Sequence, residues 1–281
     1  MNARVLPYVL ILPVTLFLGV FFLYPFVLVA QQAFSGPSGF SFEHFRTVTS
    51  HWKFPTAFKN TLYLAAAVVP VQLALALLMA TMVAKMRKGR DLVLYIWTIP
   101  LGISDLAAGI IWLAIFEQSG FLNSMMSGLG LIDRPMNILG YQNPGLVFLA
   151  IALAEIWRAT AIMLVILVAG IGLIPKEYYE AAEVFGASPW KRFTRITLPL
   201  LRPSLSTALV IRVILAFEVF AVVQAIGGTL YPVLMSETYN YQFELLNGGA
   251  AAAVALIILG ISIAFTVVIL RLLRVPKGAT L

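Results

Sequence analysis

Five ionisable side chains interrupt long apolar stretches of this sequence: Asp105, Glu155, Arg158, Arg212 and Glu218. A charge at the centre of a membrane-spanning helix costs about 2.5–3.5 kcal/mol on insertion scales, so it usually faces protein or water. Two chemistries fit such residues. They could line a path and form hydrogen bonds with the hydroxyl groups of a transported solute, or they could tie neighbouring helices together.

For some of these charges, the spacing favours an ion pair that stabilises helix packing over a role in a path. Glu155 and Arg158 are three residues apart, so they share one helix face and can form a local ion pair. Arg212 and Glu218 are six residues apart, about 240° around a helix, which predicts different partners for them. We expect Arg212 to tie helices or to reach the interface, whereas Glu218 and Asp105 lie deeper in their apolar runs and are candidates for a path.

Other reactive arrangements are missing from the sequence. There is no cysteine, which excludes disulfides, thiolate metal sites and cysteine nucleophiles. The only two histidines, His44 and His51, are seven residues apart in one loop and make a poor metal site. No phosphate-binding G-x-x-x-x-G-K-[ST] motif, Ser/His/Asp set or H-E-x-x-H motif is found. The sequence therefore predicts no enzyme and no metal site, and any driving ATP must bind to another polypeptide.

The composition predicts that lipid surrounds most of the chain. Of the 281 residues, 61% are apolar and 11% are charged, and the mean hydropathy is +0.95. A soluble domain carries roughly a quarter charged residues, so the polar surface is too small for a water-exposed globule. The net charge of +7 could suggest nucleic acid, but an anionic membrane leaflet is the better partner for cations on so apolar a surface.

Six apolar stretches are long enough to cross a bilayer, which takes about 20 helical residues. They lie at residues 6–30, 61–84, 92–116, 145–174, 204–226 and 248–270. Because these runs are continuous rather than alternating, they predict an all-α integral membrane protein with six transmembrane helices. The first run is too long for the apolar part of a signal peptide and has no clear cleavage site, so we expect it to be retained.

Lysine and arginine residues predict the orientation. Of 19 such residues, two lie within spans and four lie in the loops on one side, leaving 13 on the other side. The four are Arg46, Lys53, Lys59 and Arg134. Since cytoplasmic loops carry an excess of these cations, the side with 13 is expected to be cytoplasmic. Both termini, which carry Arg4 and Lys277, and the segment 175–203 are then cytoplasmic.

The polar segment 175–203 separates the fourth and fifth spans. Its glutamates stand near the start of a predicted helix, where carboxylates favour the helix dipole. Gly186 permits a turn that a residue with a Cβ would resist, and Pro189 is well placed to begin a second helix. The residues predict two short helices that meet at Gly186 on the membrane surface. A passive amphipathic anchor fits these residues as well as a docking element does.

The segment resembles the signature of ABC-importer permeases, in which Glu-Ala-Ala precedes a Gly, an Ile and Leu-Pro at fixed spacing. All seven positions match: Glu180, Ala181, Ala182, Gly186, Ile196, Leu198 and Pro199. The resemblance implies a coupling helix that docks into a cleft of a separate ATPase subunit, with ATP and Mg²⁺ bound there and no cofactor in this chain. Phe185 stands where sugar importers often have an acidic residue, which implies different docking contacts at that position.

Further segments resemble the carbohydrate importers in the right order along the chain. The opening LPYVLILPVTLFLGVFFLYP is similar to the first helix of maltose and glycerol-phosphate permeases, and AIGGTLYPVLMSETYNYQF differs from its family counterpart by Thr229 in place of a proline. The resemblance implies that residues 1–60 hold the first helix and the first extracytoplasmic loop. Residues 61–281 would form a permease core of five transmembrane helices, with the coupling loop at 175–203.

The resemblance also implies a function: import of a di- or oligosaccharide or a glycosyl-polyol across the cytoplasmic membrane by alternating access. The implied partners are a second permease subunit, two ATPase subunits and an extracytoplasmic solute-binding protein. Trp157 and Gln224 could stack on a sugar ring and hydrogen-bond to it. The candidates for the substrate path are then Asp105, Glu155, Trp157, Arg158, Glu218 and Gln224.

Two other classes of protein remain open from the sequence. A secondary transporter would need its own coupling-ion site, for which Asp105, Glu155 and Glu218 are the candidate ligands, but no inverted repeat is obvious. A non-transporting membrane scaffold would tolerate neutral replacement of every embedded charge. A copurifying ATPase subunit would distinguish the importer from both.

Overall fold

The computed structural model describes residues 6–37 and 39–274, most of which are helical. Arg4 and Lys277, used above to predict the orientation, lie outside the described residues. The chain forms two compact units. The first comprises the residues up to Pro55 together with Leu234–Leu259, and the second comprises Thr56–Val233 and the residues from Gly260 onward. The predicted division at residue 60 stays a prediction.

The first unit is built on a long apolar helix that leads into a short hairpin. Its elements are α1 (Leu6–Leu18), a π-helical turn (Gly19–Leu23), α2 (Tyr24–Ala33), β1 (Ser35–Gly36), β2 (Gly39–Phe40), α3 (Glu43–Ser50), α14 (Leu234–Tyr239), a π-helical turn (Asn240–Glu244) and the first part of α15 (Gly248–Leu272). The two strands pair antiparallel. Gly249 lies directly against His44, and a Cβ at Gly249 would clash with the imidazole ring.

The second unit contains the part of α15 from Gly260 onward and the other helices, apart from the first two residues of α4. They are α4 (Phe54–Lys85), α5 (Arg90–Thr98), a 3-10 turn (Ile99–Gly102), α6 (Asp105–Phe116), α7 (Phe121–Gly128), α8 (Pro144–Gly172), α9 (Lys176–Val184), α10 (Pro189–Arg192), a π-helical turn (Phe193–Thr197), α11 (Leu198–Leu200), α12 (Arg202–Phe217), α13 (Ala221–Ile226) and a 3-10 turn (Gly228–Leu230).

Two buried apolar clusters hold the second unit together. One joins α4, α6, α8 and α13 around Val68, Ile151 and Val222. The other joins α4, α8 and α12 around Leu164 and Leu205. Small residues allow the close approach of helices that membrane proteins require, and at Gly109 of α6 an added Cβ would lie 2.7 Å from the Cβ atom of Ala225.

Five described helices are long and apolar enough to cross a membrane, or six if the bent pair Pro189–Leu200 and Arg202–Phe217 counts as one span. The five are Tyr8–Ala33, Phe54–Lys85, Asp105–Gly128, Pro144–Gly172 and Gly248–Leu272. None of the most apolar window of Tyr8–Ala33 is buried within the protein, as expected of side chains that face lipid. The predicted all-α membrane fold is therefore confirmed.

The third predicted span, residues 92–116, is wrong as a single helix. α5 ends at Thr98, and the chain passes through a 3-10 turn and two extended residues before α6 begins. Pro100 stands in that turn, and the hydroxyl of Ser104 caps α6 by accepting a hydrogen bond from the backbone N–H of Ala107 at 3.2 Å. Asp105 therefore opens α6 instead of lying within a continuous span.

The fifth predicted span, residues 204–226, is also broken. α12 ends at Phe217, and α13 begins only at Ala221. A second bend lies before α12. Pro199 and Pro203 stand in the first turns of α11 and α12, where proline is tolerated, but proline does not allow one continuous helix to run through both. At this bend the chain direction changes by 69° between Pro189–Leu200 and Arg202–Phe217. An average of hydropathy does not detect these breaks, because the residues on both sides are apolar.

Candidate functional site

A network of charged and amide side chains joins four helices of the second unit. Arg212 of α12 donates from Nη2 to Oε2 of Glu155 at 2.9 Å and from Nε to Oε1 of Gln72 at 2.5 Å. Arg158, which follows Glu155 on α8, donates from Nη2 to Oε1 of Glu155 at 3.2 Å. Its Nη1 lies 2.8 Å from Oδ1 of Asp105, at the start of α6. Gln72 of α4 donates to the backbone carbonyl of Glu155 at 2.7 Å.

The centre of this charge network is buried, whereas its edge is open. The side chains of Arg212 and Glu155 are each 1% exposed, but that of Asp105 is 49% exposed. Both carboxylate oxygens of Glu155 are paired with arginines, and the two carboxylates balance the two guanidinium groups. Mutual pairing offsets the desolvation of buried charges. The geometry fits a tie between helices, and the local contact predicted for Glu155 and Arg158 is part of it.

Two N–H groups of the charge network are left without an acceptor. Among the described residues, Nη1 of Arg212 and Nε of Arg158 are buried and have no hydrogen-bond partner. Arg212 and Glu155 also line a small cleft whose other walls are apolar: Leu64, Ala65, Val68, Ala216 and Val219. A buried donor without a partner is unfavourable, and the cleft has essentially no space for a water-sized molecule, so Nη1 of Arg212 is an unsatisfied position of the network.

The remaining residues predicted for a path are not members of the charge network. Trp157 packs edge-on against Trp112, with ring centroids 6.1 Å apart. Glu218 is the exposed C-cap of α12, and Gln224 is exposed on α13. A role in a substrate path stays a prediction for all three.

Gln72 was not predicted from the sequence, although it is fully buried and bonded to two members of the network. The available signal was a single amide within the otherwise apolar run of α4. Polar side chains in such helices usually hydrogen-bond to a neighbouring helix.

A second candidate site is the elbow formed by residues 176–200. Two residues after the end of α9, Gly186 takes a φ of +66°, and its N–H donates to the carbonyl of Glu183 at 2.9 Å. Glycine suits this left-handed conformation at a helix C-terminus. Ser188 then caps α10, and its hydroxyl accepts from the N–H of Lys191 at 3.3 Å. The structure therefore has the predicted turn at Gly186 and the predicted helix start at Pro189.

Side-chain contacts hold the elbow together and attach it to the core. Arg192 of α10 forms an ion pair with Glu183 of α9. The hydroxyls of Tyr179 and Thr197 share a hydrogen bond of 3.0 Å. Leu198 packs against the buried cluster of α4, α8 and α12. The elbow is thus fixed to three of the helices that carry the charge network.

The signature positions differ in exposure. Glu180, Ala181 and Gly186 are exposed, whereas the other four are half-buried: Ala182, Ile196, Leu198 and Pro199. Beside them Val184 and Phe185 expose 86% and 88% of their surface, respectively. Large apolar side chains on a polar segment are typical of a surface that binds another protein.

A further ionisable group is buried in the first unit. Glu237 of α14 is 5% exposed, and burial raises the pKa of its carboxyl; the charges of Lys53 and His51 oppose this shift, and Glu244 adds to it. The ring of His51 packs edge-on against that of Tyr241, with centroids 6.1 Å apart. Among the described residues, no three His, Asp or Glu side chains come together as metal ligands.

Comparisons with known proteins give matches over most of the chain. The family described as "Binding-protein-dependent transport system inner membrane component" matches residues 72–274. The trehalose/maltose transport system permease of Thermococcus litoralis is 33% identical over 73% of this chain and 70% of its own. The sulfoquinovosyl glycerol transport system permease of Agrobacterium fabrum is 30% identical over 96% of this chain and 91% of its own.

A solved structure is similar over nearly the whole chain. It is the crystal structure of a bacterial ABC transporter involved in the import of the acidic polysaccharide alginate. The chain matched in it has a TM-score of 0.81 and 26% identity, and the match covers 97% of this chain and 96% of that chain.

Proposed function

The chain belongs to the family of binding-protein-dependent transport system inner membrane components, and from this premise we propose that it is the permease subunit of an ATP-driven carbohydrate importer. Its relatives are named for the transport of trehalose or maltose and of sulfoquinovosyl glycerol, and its structural neighbour imports alginate. The chemistry that these names share is a sugar ring with several hydroxyl groups. A saccharide or glycosyl-polyol is therefore the substrate class proposed for this chain.

The observation that carries the proposal is the elbow. Its exposed face presents Glu180, Ala181 and Phe185, and its base is packed into the core through Leu198. A separate ATPase subunit, which binds ATP and Mg²⁺, docks on this face. Closure of a pair of ATPases would move the elbow and tilt α8 and α12. Such a switch requires that nucleotide bind one state more tightly than the other.

The charge network forms one wall of the proposed substrate path. Glu155 and Arg212 form the buried base of this wall, where Glu155 holds the guanidinium in place. Asp105 lies at the open edge of the network, where it pairs with Arg158. Trp157, Glu218 and Gln224 are proposed as further contacts, because Glu218 and Gln224 are exposed and Trp157 offers a ring for stacking.

The proposed assembly contains a second permease subunit, two ATPase subunits and an extracytoplasmic solute-binding protein. A crystal structure of the alginate transporter in complex with its pentasaccharide-bound periplasmic protein supports the last of these partners. The excess of lysine and arginine on one side supports a location in the cytoplasmic membrane, with both termini and the elbow in the cytoplasm.

The test is purification of the tagged chain from its native membranes in a mild detergent, followed by reconstitution of the complex in vesicles. We expect a nucleotide-hydrolysing subunit to copurify and ATP to drive the uptake of a labelled saccharide but not of a labelled amino acid. ATP-independent uptake by this chain alone would contradict the proposal.

The residues of the second unit give no support to a secondary transporter. Of its three candidate ion ligands, Glu155 and Asp105 are paired with arginines. Glu218 is exposed at a helix end. A coupling ion would have to displace these pairs, so the importer is the better explanation of the same carboxylates.

A further inference from the structure

Four phenylalanines cluster where the first apolar helix ends. Phe34 and Phe40 stack with ring centroids 5.2 Å apart, and Phe42 meets them edge-on at 5.4 and 5.3 Å, respectively. The ring of Phe45, from α3, lies 4.9 Å from that of Phe34. These four residues are called the aromatic cluster below.

Two rings of the aromatic cluster are largely uncovered by the described chain. Phe40 is 74% exposed and Phe42 is 62% exposed. The hairpin beneath them is small, and a hydrogen bond of 2.8 Å from the N–H of Ser41 to the carbonyl of Phe34 closes it. α3 turns Val48 inward, where it is 1% exposed, and keeps Thr47 at the surface. The exposed rings therefore form an apolar surface beside a polar helix face.

The position of the aromatic cluster along the chain indicates what covers it. The helix Tyr8–Ala33 has 26 residues, and its most apolar window faces outward along its whole length. Such a helix is about 39 Å long, which exceeds the hydrocarbon thickness of about 30 Å but not the full bilayer of about 40–45 Å. Its end therefore lies in the headgroup layer. Phe34 follows at once, so the aromatic cluster begins where this outward-facing helix ends.

We propose that the aromatic cluster is a membrane-interface anchor, in which Phe40 and Phe42 insert between the headgroups and the acyl chains of a phospholipid bilayer. Aromatic rings gather at this depth in membrane proteins, and short segments with phenylalanine on an apolar face bind there. The anchor fixes the depth of the first helix and keeps the polar face of α3 in water. It does not depend on which solute the protein carries.

The test uses the absence of cysteine from the sequence, which allows single spin labels without background. Phe40→Cys and Phe42→Cys are labelled in the full chain, with its copurified partners, in phosphatidylcholine/phosphatidylglycerol vesicles. Thr47→Cys marks the aqueous face, and Val20→Cys marks the hydrocarbon. We expect the ratio of oxygen to nickel-chelate collision at residues 40 and 42 to be at least threefold higher than at residue 47, and lower than at residue 20.

Two results would overturn the anchor. A collision ratio at residues 40 and 42 equal to that at residue 47 would place the rings in water. Low accessibility to both reagents would show that a protein, such as the solute-binding protein or the second permease, covers them. Ser35→Cys leaves all four rings in place and gives the same measurement if a phenylalanine variant does not fold, because its exposed side chain lies next to Phe34.

Discussion

Arg212 shows how this protein accommodates a cation inside an apolar helix. Its guanidinium is surrounded by oxygen atoms from two other helices, the carboxylate of Glu155 and the amide of Gln72. The planar donor groups of arginine suit such a site better than the single ammonium of lysine. Because the network is neutral as a whole, the buried charges cancel one another, and only Nη1 of Arg212 and Nε of Arg158 are left without an acceptor among the described members of the network.

Removal of one partner should lower the stability strongly at the centre of the charge network and only slightly at its edge. Arg212→Met leaves Glu155 buried without its main partner, so we expect a loss of about 3–5 kcal/mol of stability. Asp105→Asn removes a half-exposed partner, so we expect a loss of about 0–1 kcal/mol. Thermal unfolding in detergent, followed by circular dichroism, measures both.

The double variant Arg212→Met with Glu155→Leu serves as the control. It replaces the buried pair by apolar side chains and should recover most of the loss. Equal losses in the Arg212 and Asp105 variants would show that the buried pair is not the structural centre of the network.

Glu237 should make the first unit sensitive to pH. Burial raises the pKa of this carboxyl above its unfolded value, so the folded state binds the proton more tightly than the unfolded chain does. The corresponding stability is fully present below the unfolded pKa and is lost as the pH rises through the raised folded pKa. We expect the melting temperature to fall as the pH rises through this pKa. Glu237→Gln, which cannot ionise, should reduce that fall. The same slope in the variant and the unaltered chain would assign the decline to other groups.

At the scale of elements, breaks in helices matter as much as the helices themselves. The chain turns sharply at Gly186 and bends at Leu201 within a stretch that joins the elbow to α12. These turns direct the exposed face of the elbow outward while its base stays packed against α4, α8 and α12. This packing is what the proposed coupling requires, because motion at the elbow would reach Glu155 and Arg212 through α8 and α12.

A β-branched residue at Gly186 should uncouple the elbow from the proposed ATPase subunit. Gly186→Val forces a side chain into a left-handed conformation, which costs about 1–2 kcal/mol and favours another path for the turn. We expect ATP-dependent uptake in vesicles to fall at least tenfold while the amount of protein in the membrane is unchanged. Gly172→Val is the matched control, since Gly172 is helical and a Cβ there would meet open space. Normal uptake by the Gly186 variant would contradict the coupling role.

At the scale of the whole molecule, the distribution of cations determines the expected orientation in the membrane. The predicted cytoplasmic side includes the loop between α4 and α5 and the elbow, whereas the opposite loops carry four lysines and arginines. A membrane-impermeant thiol reagent can test this, again because the chain lacks cysteine. From outside intact cells, Arg134→Cys should react and Lys88→Cys should not. The reverse pattern would invert the orientation and place the elbow away from any cytoplasmic ATPase.

The sequence by itself determined the features that depend on local chemistry. Apolar runs of spanning length predicted a helical membrane protein, and glycine and proline predicted the turn at Gly186 and the helix start at Pro189. Such features follow from neighbouring residues, because hydropathy, φ preference and capping act within one or two helical turns.

Only the tertiary structure decided which distant residues meet. Glu155 could be paired with Arg158 from their spacing, but its bond to Arg212 spans 57 positions and Gln72 lies 140 positions from Arg212. Such contacts depend on the rotation and depth of several helices, and the breaks at Ser104 and Glu218 change both. Because packing sets these quantities jointly for all helices, no single stretch of sequence contains them.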